Sequence, residues 1–150
     1  MKLEAGVTDA SAGLNDASWN VVGHTYTPKL LSDNAFVWHA VIPDGTFVPP
    51  HIHTTQDEWI TVIDGDLEIE FGPVKHAAGP GDTVRMPQNE AHGIFNRSGK
   101  TAICVFGVAP AGRLYELFTK LDNVTDPGEL VRISAEHDGA LPVSYPHFRH

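Results

Sequence analysis

From Trp19 to Ala109 the chain reads as short apolar runs with polar residues interleaved. "WNVVGHTYT" and "AFVWHAVIP" are rich in Val, Ile, Trp, Phe, Tyr and Thr, the residues that fit a pleated, half-buried surface. "EWITVIDG", "DLEIEFG", "DTVRMP", "HGIFN" and "TAICVFGVA" repeat the pattern at short intervals. Gly or Pro punctuates the gaps at Gly65, Gly72-Pro73, Gly79-Pro80-Gly81, Pro87 and Gly99, and Asp44-Gly45 marks a further turn. Many short strands with closely spaced turn signals predict an all-β sandwich or barrel.

The period changes after Pro110. In "GRLYELFTKL", Leu114, Leu117, Phe118 and Leu121 stand at i, i+3, i+4 and i+7, which predicts an amphipathic helix. "TDPGELVRISAEH" predicts a second helix, with Asp126 as N-cap, Pro127 in the first helical position and Glu129 placed for a capping box. Leu130, Ile133 and His137 share its inner face. Residues 1–18, rich in Ala, Ser, Gly, Asn and Asp, read as an N-terminal arm. The expected organisation is therefore an arm at 1–18, a barrel at 19–110 and a helical extension at 111–150. The helices are expected to pack on the outside of the barrel.

Charge and cysteine content narrow the function classes. Nineteen carboxylates against ten basic side chains give a net charge of −9, which disfavours nucleic acid and anionic membranes as partners. The single cysteine, Cys104, excludes an intrachain disulfide and reads as a small buried apolar residue. No apolar run approaches the ~20 residues of a membrane span, and the first residues lack a signal peptide's apolar core. The expected location is the cytoplasm.

Candidate chemistry is concentrated at 51–58, "HIHTTQDE". On a strand, His51 and His53 point to one face with Cα atoms ~6.5–7 Å apart. A metal ~2.0–2.1 Å from each imidazole nitrogen fits between them. "TTQD" can turn the chain so that Glu58, on an antiparallel neighbour, faces the pair. His92, opening a later strand, is the candidate fourth ligand. Three imidazoles and one carboxylate suit a divalent first-row ion and not the all-oxygen sites of Mg²⁺ or Ca²⁺. Six-coordination leaves two positions for exogenous ligands, whereas tetrahedral Zn²⁺ would close the shell.

Two segments resemble the paired motifs of the cupin family. In 45–65, Gly45, His51, His53, Glu58 and Gly65 stand at the spacing of the first motif, and in 81–96, Gly81, Pro87, His92 and Asn96 stand at that of the second. Asn89 occupies a position where that family usually has glycine, and asparagine tolerates the positive φ such a turn needs. The resemblance implies a jelly-roll β-barrel (a double-stranded β-helix) with two short C-terminal helices. It implies a metal held by His51, His53, Glu58 and His92, with Fe(II) first and Mn, Ni, Cu, Co or Zn as alternatives. It resembles the small, quercetinase-like dioxygenases in particular. That implies an enzyme using O₂ on a small organic substrate, with Glu58 doubling as base, and a homodimer. The alternatives are a non-redox isomerase, lyase or cyclase, and a small-molecule binder without turnover.

Strand parity predicts pocket walls. Phe47 and Pro49 are expected on the face of His51, Ile60 and Val62 on that of Glu58, and Ile94 on that of His92. Trp38, Met86 and Phe106 are expected inside. His24 and His39 read as interior or interface residues, His39 being the spare acid–base candidate. His76 reads as a loop residue, His137, His147 and His150 as solvated, and Glu90 as a surface turn residue.

Overall fold

The structure, a computed structural model, describes residues 1–137 and the backbone of 141–142. Eleven strands and two helices follow the arm: β1 (Trp19–Val21), β2 (His24–Leu31), β3 (Phe36–Ile42), β4 (Phe47–Ile52), β5 (Asp57–Asp64) and β6 (Leu67–Phe71). Then come β7 (Val74–Ala78), β8 (Thr83–Met86), β9 (His92–Phe95), β10 (Ala102–Ala109), α1 (Leu114–Leu121), α2 (Pro127–His137) and β11 (Leu141–Pro142). They form two sheets ordered β1-β2-β3-β10-β5-β8 and β11-β4-β9-β6-β7, and every pairing is antiparallel. This is a jelly roll, the fold that the motif resemblance implies. It is open where the edge strands β7 and β8 do not pair with each other.

Alternation sets the core. β3 alternates strictly between buried and half-buried positions, so Phe36, Trp38, Ala40 and Ile42 face inward. Across the ladder Trp38 meets Phe106, which meets Ile60, and Phe36 meets Val108, which meets Glu58. One row thus carries apolar core and one row carries a candidate ligand on the same face. "WNVVGHTYT" is two strands, because Val22 and Gly23 both adopt positive φ (49° and 87°) and turn the chain into a hairpin. Gly65, with φ +83°, could not be replaced without conflict: a Cβ there would lie 2.8 Å from the backbone of Thr101 and Ala102. Asn89 takes φ +67°, as its turn requires.

The helices correct one expectation. α1 buries Leu114, Leu117, Phe118 and Leu121, but it does not pack on the outside. The Phe118 ring lies 5.0 Å from Tyr26, 5.1 Å from Trp38 and 6.0 Å from Phe36, all on the inner face of the larger sheet. The smaller sheet is too narrow to cover that face, and α1 covers the β1–β3 part of it. In α2, Asp126 caps the helix by accepting the Glu129 N–H at 2.9 Å. The Glu129 carboxylate pairs with Arg132 and does not reach back to the cap. His137 is buried, contrary to its solvated reading, with Nδ1 2.9 Å from the Ile133 carbonyl. The arm is anchored along β2, where Thr8 donates to the Lys29 carbonyl and Lys29 to the carbonyls of Asp9, Ala10 and Ala12. No helix among the described residues is long and apolar enough to cross a membrane.

Candidate metal centre

His51, His53, Glu58 and His92 converge, with one donor atom from each inside a span of 4.8 Å. Both sheets contribute. β4 and β9 pair so that His51 stands opposite His92, and Glu58 comes from β5 in the other sheet, opposite Met86 and Val108. His53 follows the end of β4, in the loop that returns the chain to β5. His53, Glu58 and His92 are buried, and His51 is half-buried, so the cluster meets solvent on the His51 side.

The distances fit ligands of one ion. His51 Nε2 lies 3.1 Å from His53 Nε2, His92 Nε2 lies 3.0 Å from Glu58 Oε1, and His53 Nε2 lies 3.4 Å from the same oxygen. Two donors each ~2.1 Å from an ion stand ~3.0 Å apart at a right angle and ~3.4 Å apart at the tetrahedral angle.

Protonation gives an independent fit. His51 Nδ1 is 2.8 Å from the Pro49 carbonyl and His92 Nδ1 is 3.2 Å from that of Glu90. Both nitrogens therefore carry a proton, and in the neutral ring each Nε2 presents a lone pair to the cluster. His92 Nε2 and Glu58 Oε1, 3.0 Å apart, need a proton or a cation between them. A proton could relieve that one contact, but a single cation at the centre relieves all of them. Burial first, then His92 and His53, push the His51 pKa down to about 4, so this imidazole is neutral at pH 7. Burial alone would raise the Glu58 pKa, but hydrogen bonds and charge from His53 and His92 overcome it and hold the carboxyl well below its ordinary range. His51, neutral, and Glu58, ionised, thus stand in the protonation states that metal ligands require.

The predicted walls are placed unevenly. Ile60, Val62 and Ile94 point inward, as parity predicts, and with Trp38, Met86 and Phe106 they belong to the buried core. Phe47 is on the other face. The β4–β9 register shifts between Val48 and His51, and this bulge reverses the parity that would have joined Phe47 to His51. Val48 takes the inward position, while Phe47 stacks on Phe95 at 5.7 Å. His39 is half-buried on the outer face of β3, away from the cluster. Glu90 is exposed, and Cys104 is fully buried, its thiol pushed up to about 12 by burial. His24 is interior, with Nδ1 2.9 Å from the Tyr26 hydroxyl. His147 and His150 lie outside the described residues.

Sequence reading passed over Gln56, which lies inside the quoted stretch between two ligands. It is buried, and its Nε2 donates to the carbonyls of Pro110 and Ala111, both at 2.9 Å. The ligand loop is thereby tied to the start of the C-terminal extension, 54 and 55 residues away. An amide flanked by Thr and Asp in a turn carries no local sign of burial.

Comparison with known proteins agrees with this geometry. Residues 38–108 match the model of the cupin domain, a span that includes all four donors. This span of the chain is a cupin domain. An RmlC-like cupin from Shewanella frigidimarina superposes with a TM-score of 0.66 at 14% identity, over 77% of this chain and 99% of that one. KdgF from a Halomonas species gives 0.59 at 19% identity, over 71% and 94%. A cupin-superfamily sugar phosphate isomerase from Silicibacter pomeroyi gives 0.53 at 22% identity, over 72% and 71%. At these identities the likeness is one of fold. No curated protein matches the chain.

Proposed function

We propose that this protein is a metal-dependent enzyme acting on a small organic molecule. The observation that carries the reading is the convergence of three imidazoles and one ionised carboxylate on a common point, with the half-buried His51 side left accessible. A divalent ion held there supplies Lewis-acid polarisation of a carbonyl or enol oxygen and, if redox-active, electron transfer with O₂. The protein's part is to orient and to exclude water. Glu58, aligned by His53 and His92, is the candidate base for a proton on a substrate O–H or C–H. The buried apolar core beneath limits water on that side of the site.

Our first reading within this class is oxygen-using chemistry with Fe(II), supported by a donor set that resembles the histidine–carboxylate sites of oxygenases with one added imidazole. The second is non-redox isomerase or lyase chemistry, supported by the sugar phosphate isomerase among the structural neighbours. Fold alone does not choose between them, because one scaffold hosts many chemistries. Protein loaded with Fe²⁺ or with Zn²⁺ is to be mixed with a panel of small enols, enediols and keto-sugars, with and without O₂. Turnover by the Fe²⁺ form that consumes O₂ supports the first reading. Equal turnover by the Zn²⁺ form under anaerobic conditions overturns it in favour of the second.

A further inference from the structure

The open side of the jelly roll is not a blank seam. Along it lies a cavity of about 800 Å³ with Glu58 and Met86 at its floor. The smaller sheet contributes inward-facing residues. His76 pairs with Ile69, and Val74 with Phe71, so Phe71, Val74 and His76 share the face of core residue Ile69. His76 is thus a strand residue turned toward the opening, and not the loop residue its sequence context predicts. The Phe71 and His76 rings meet edge-on at 5.6 Å. From the larger sheet, Trp59 and Arg85 are cross-strand partners that alternate with Glu58 and Met86 and border the cavity at the β8 edge.

The electrostatics of Arg85 single it out. Arg97 pairs with Glu68, Arg113 with Glu116 and Arg132 with Glu129. On a chain of charge −9, the field and the supply of carboxylates both favour such pairing. Arg85 alone among the arginines at these described positions makes no ion pair and no side-chain hydrogen bond. Two carboxylates line the same cavity. Asp57 is engaged, since its Oδ1 accepts the Gln88 N–H at 3.0 Å, and Glu90 is exposed. Neither lies within ion-pair distance of Arg85. Arg85 thus lines an apolar-walled cavity with its donors unused, and its fork matches a carboxylate or phosphate.

We propose that the substrate is a small organic anion entering between β7 and β8, its charged group held by Arg85 with His76 beside it. Its apolar body lies on Phe71, Val74 and Met86, and its other end reaches Glu58. A charged handle at the rim and apolar walls beyond it form an ordinary division of labour for orienting a small molecule. This rests on the metal-enzyme reading for what happens at Glu58, but the recognition itself needs no metal.

The test therefore uses full-length protein stripped of metal. Benzoate and hexanoate, each against its neutral amide, are titrated while backbone amide shifts are followed by NMR. The acids are expected to bind about tenfold tighter than their amides, with shift changes centred on Val74, His76, Arg85 and Met86. Arg85→Met should abolish the acid preference and leave amide binding unchanged, and Arg85→Lys should restore part of it. Equal binding of acid and amide, a preference that survives Arg85→Met, or shifts confined to the His51 side would overturn the proposal. Metal content of the same preparations after reloading is read separately. Failure to take up metal counts against the enzyme reading and not against the anion site, and a lost preference with full metal uptake does the reverse.

Discussion

Replacing His24 with glutamine should flatten the acid side of the stability curve by one proton. His24 is fully buried, its Nδ1 is joined to the Tyr26 hydroxyl, and its Nε2 has no partner among the described residues. Burial lowers its pKa from 6.5 to about 4. A second ring proton would be a buried charge with no carboxylate or carbonyl against either ring nitrogen among the described residues. The folded state therefore resists protonation while the unfolded chain accepts it below 6.5. This contribution to stability is fully present above pH 6.5, falls as pH drops toward about 4, and changes no further below that. The slope inside that window is about 1.4 kcal/mol per pH unit, and the whole loss is about 3 kcal/mol. That is a large share of a typical stability of about 5–15 kcal/mol. Urea unfolding at half-unit steps from pH 7.5 to 4, with chelator present so that metal release adds no protons, gives the slope for each protein. His51 titrates with the same sign in the same window, but it is common to both proteins and cancels in the difference. The absolute stability of the variant is immaterial, because the slope is the readout. Identical slopes for wild type and variant between pH 6 and 5 would refute the reasoning.

Four further outcomes test the packing and the site. Phe118→Ala removes the ring that joins α1 to Tyr26, Trp38 and Phe36 and should cost about 3–5 kcal/mol in urea unfolding; a loss under 1 kcal/mol would mean that α1 is not part of the core. Gly107→Ala places a methyl where the Trp59 indole lies and should cost about 1–3 kcal/mol. Trp59→Ala in the same chain should recover most of that cost, and simple additivity would contradict the contact. Glu58→Gln and His92→Ala should each lower metal content well below one ion per chain by elemental analysis, whereas Glu90→Gln should leave it unchanged. Adding metal to stripped wild type should raise its melting temperature with ion concentration, because a ligand of the folded state stabilises by mass action.

Legibility followed the range of the physics involved. The barrel strands and α1 were readable because apolar period is local: Leu114, Leu117, Phe118 and Leu121 declare a helical face wherever the helix goes. Where it goes was not readable. The placement of α1 on the inner face depends on how much of the larger sheet the smaller one covers. The four donors were readable for the same local reason, since two fixed spacings bring them to matching strand ends. Parity failed at one point, between Val48 and His51, where a bulge moved Phe47 to the far side of the sheet. Pro49 and Pro50 lie at that shift, and neither can donate to a ladder. In a run of strand formers, two prolines are a warning that period two should not be carried across.

His76 shows the remaining gap and its physical origin. "VKHAAGPG" is made mostly of small residues and lacks large apolar side chains in alternation, so its local signal is that of a loop. It is a strand because β6 offers it a ladder from Leu67↔Ala78 to Phe71↔Val74. It stays mostly exposed because no partner closes β7 on its far side. The same missing pairing that leaves this strand polar opens the cavity onto Glu58. An edge strand that must stand beside water and still pair on one side favours short, polar, unalternating sequence. The residues that flank a functional opening in a barrel are therefore those whose strand character a periodicity reading discards, while the ligands deeper inside announce themselves by spacing.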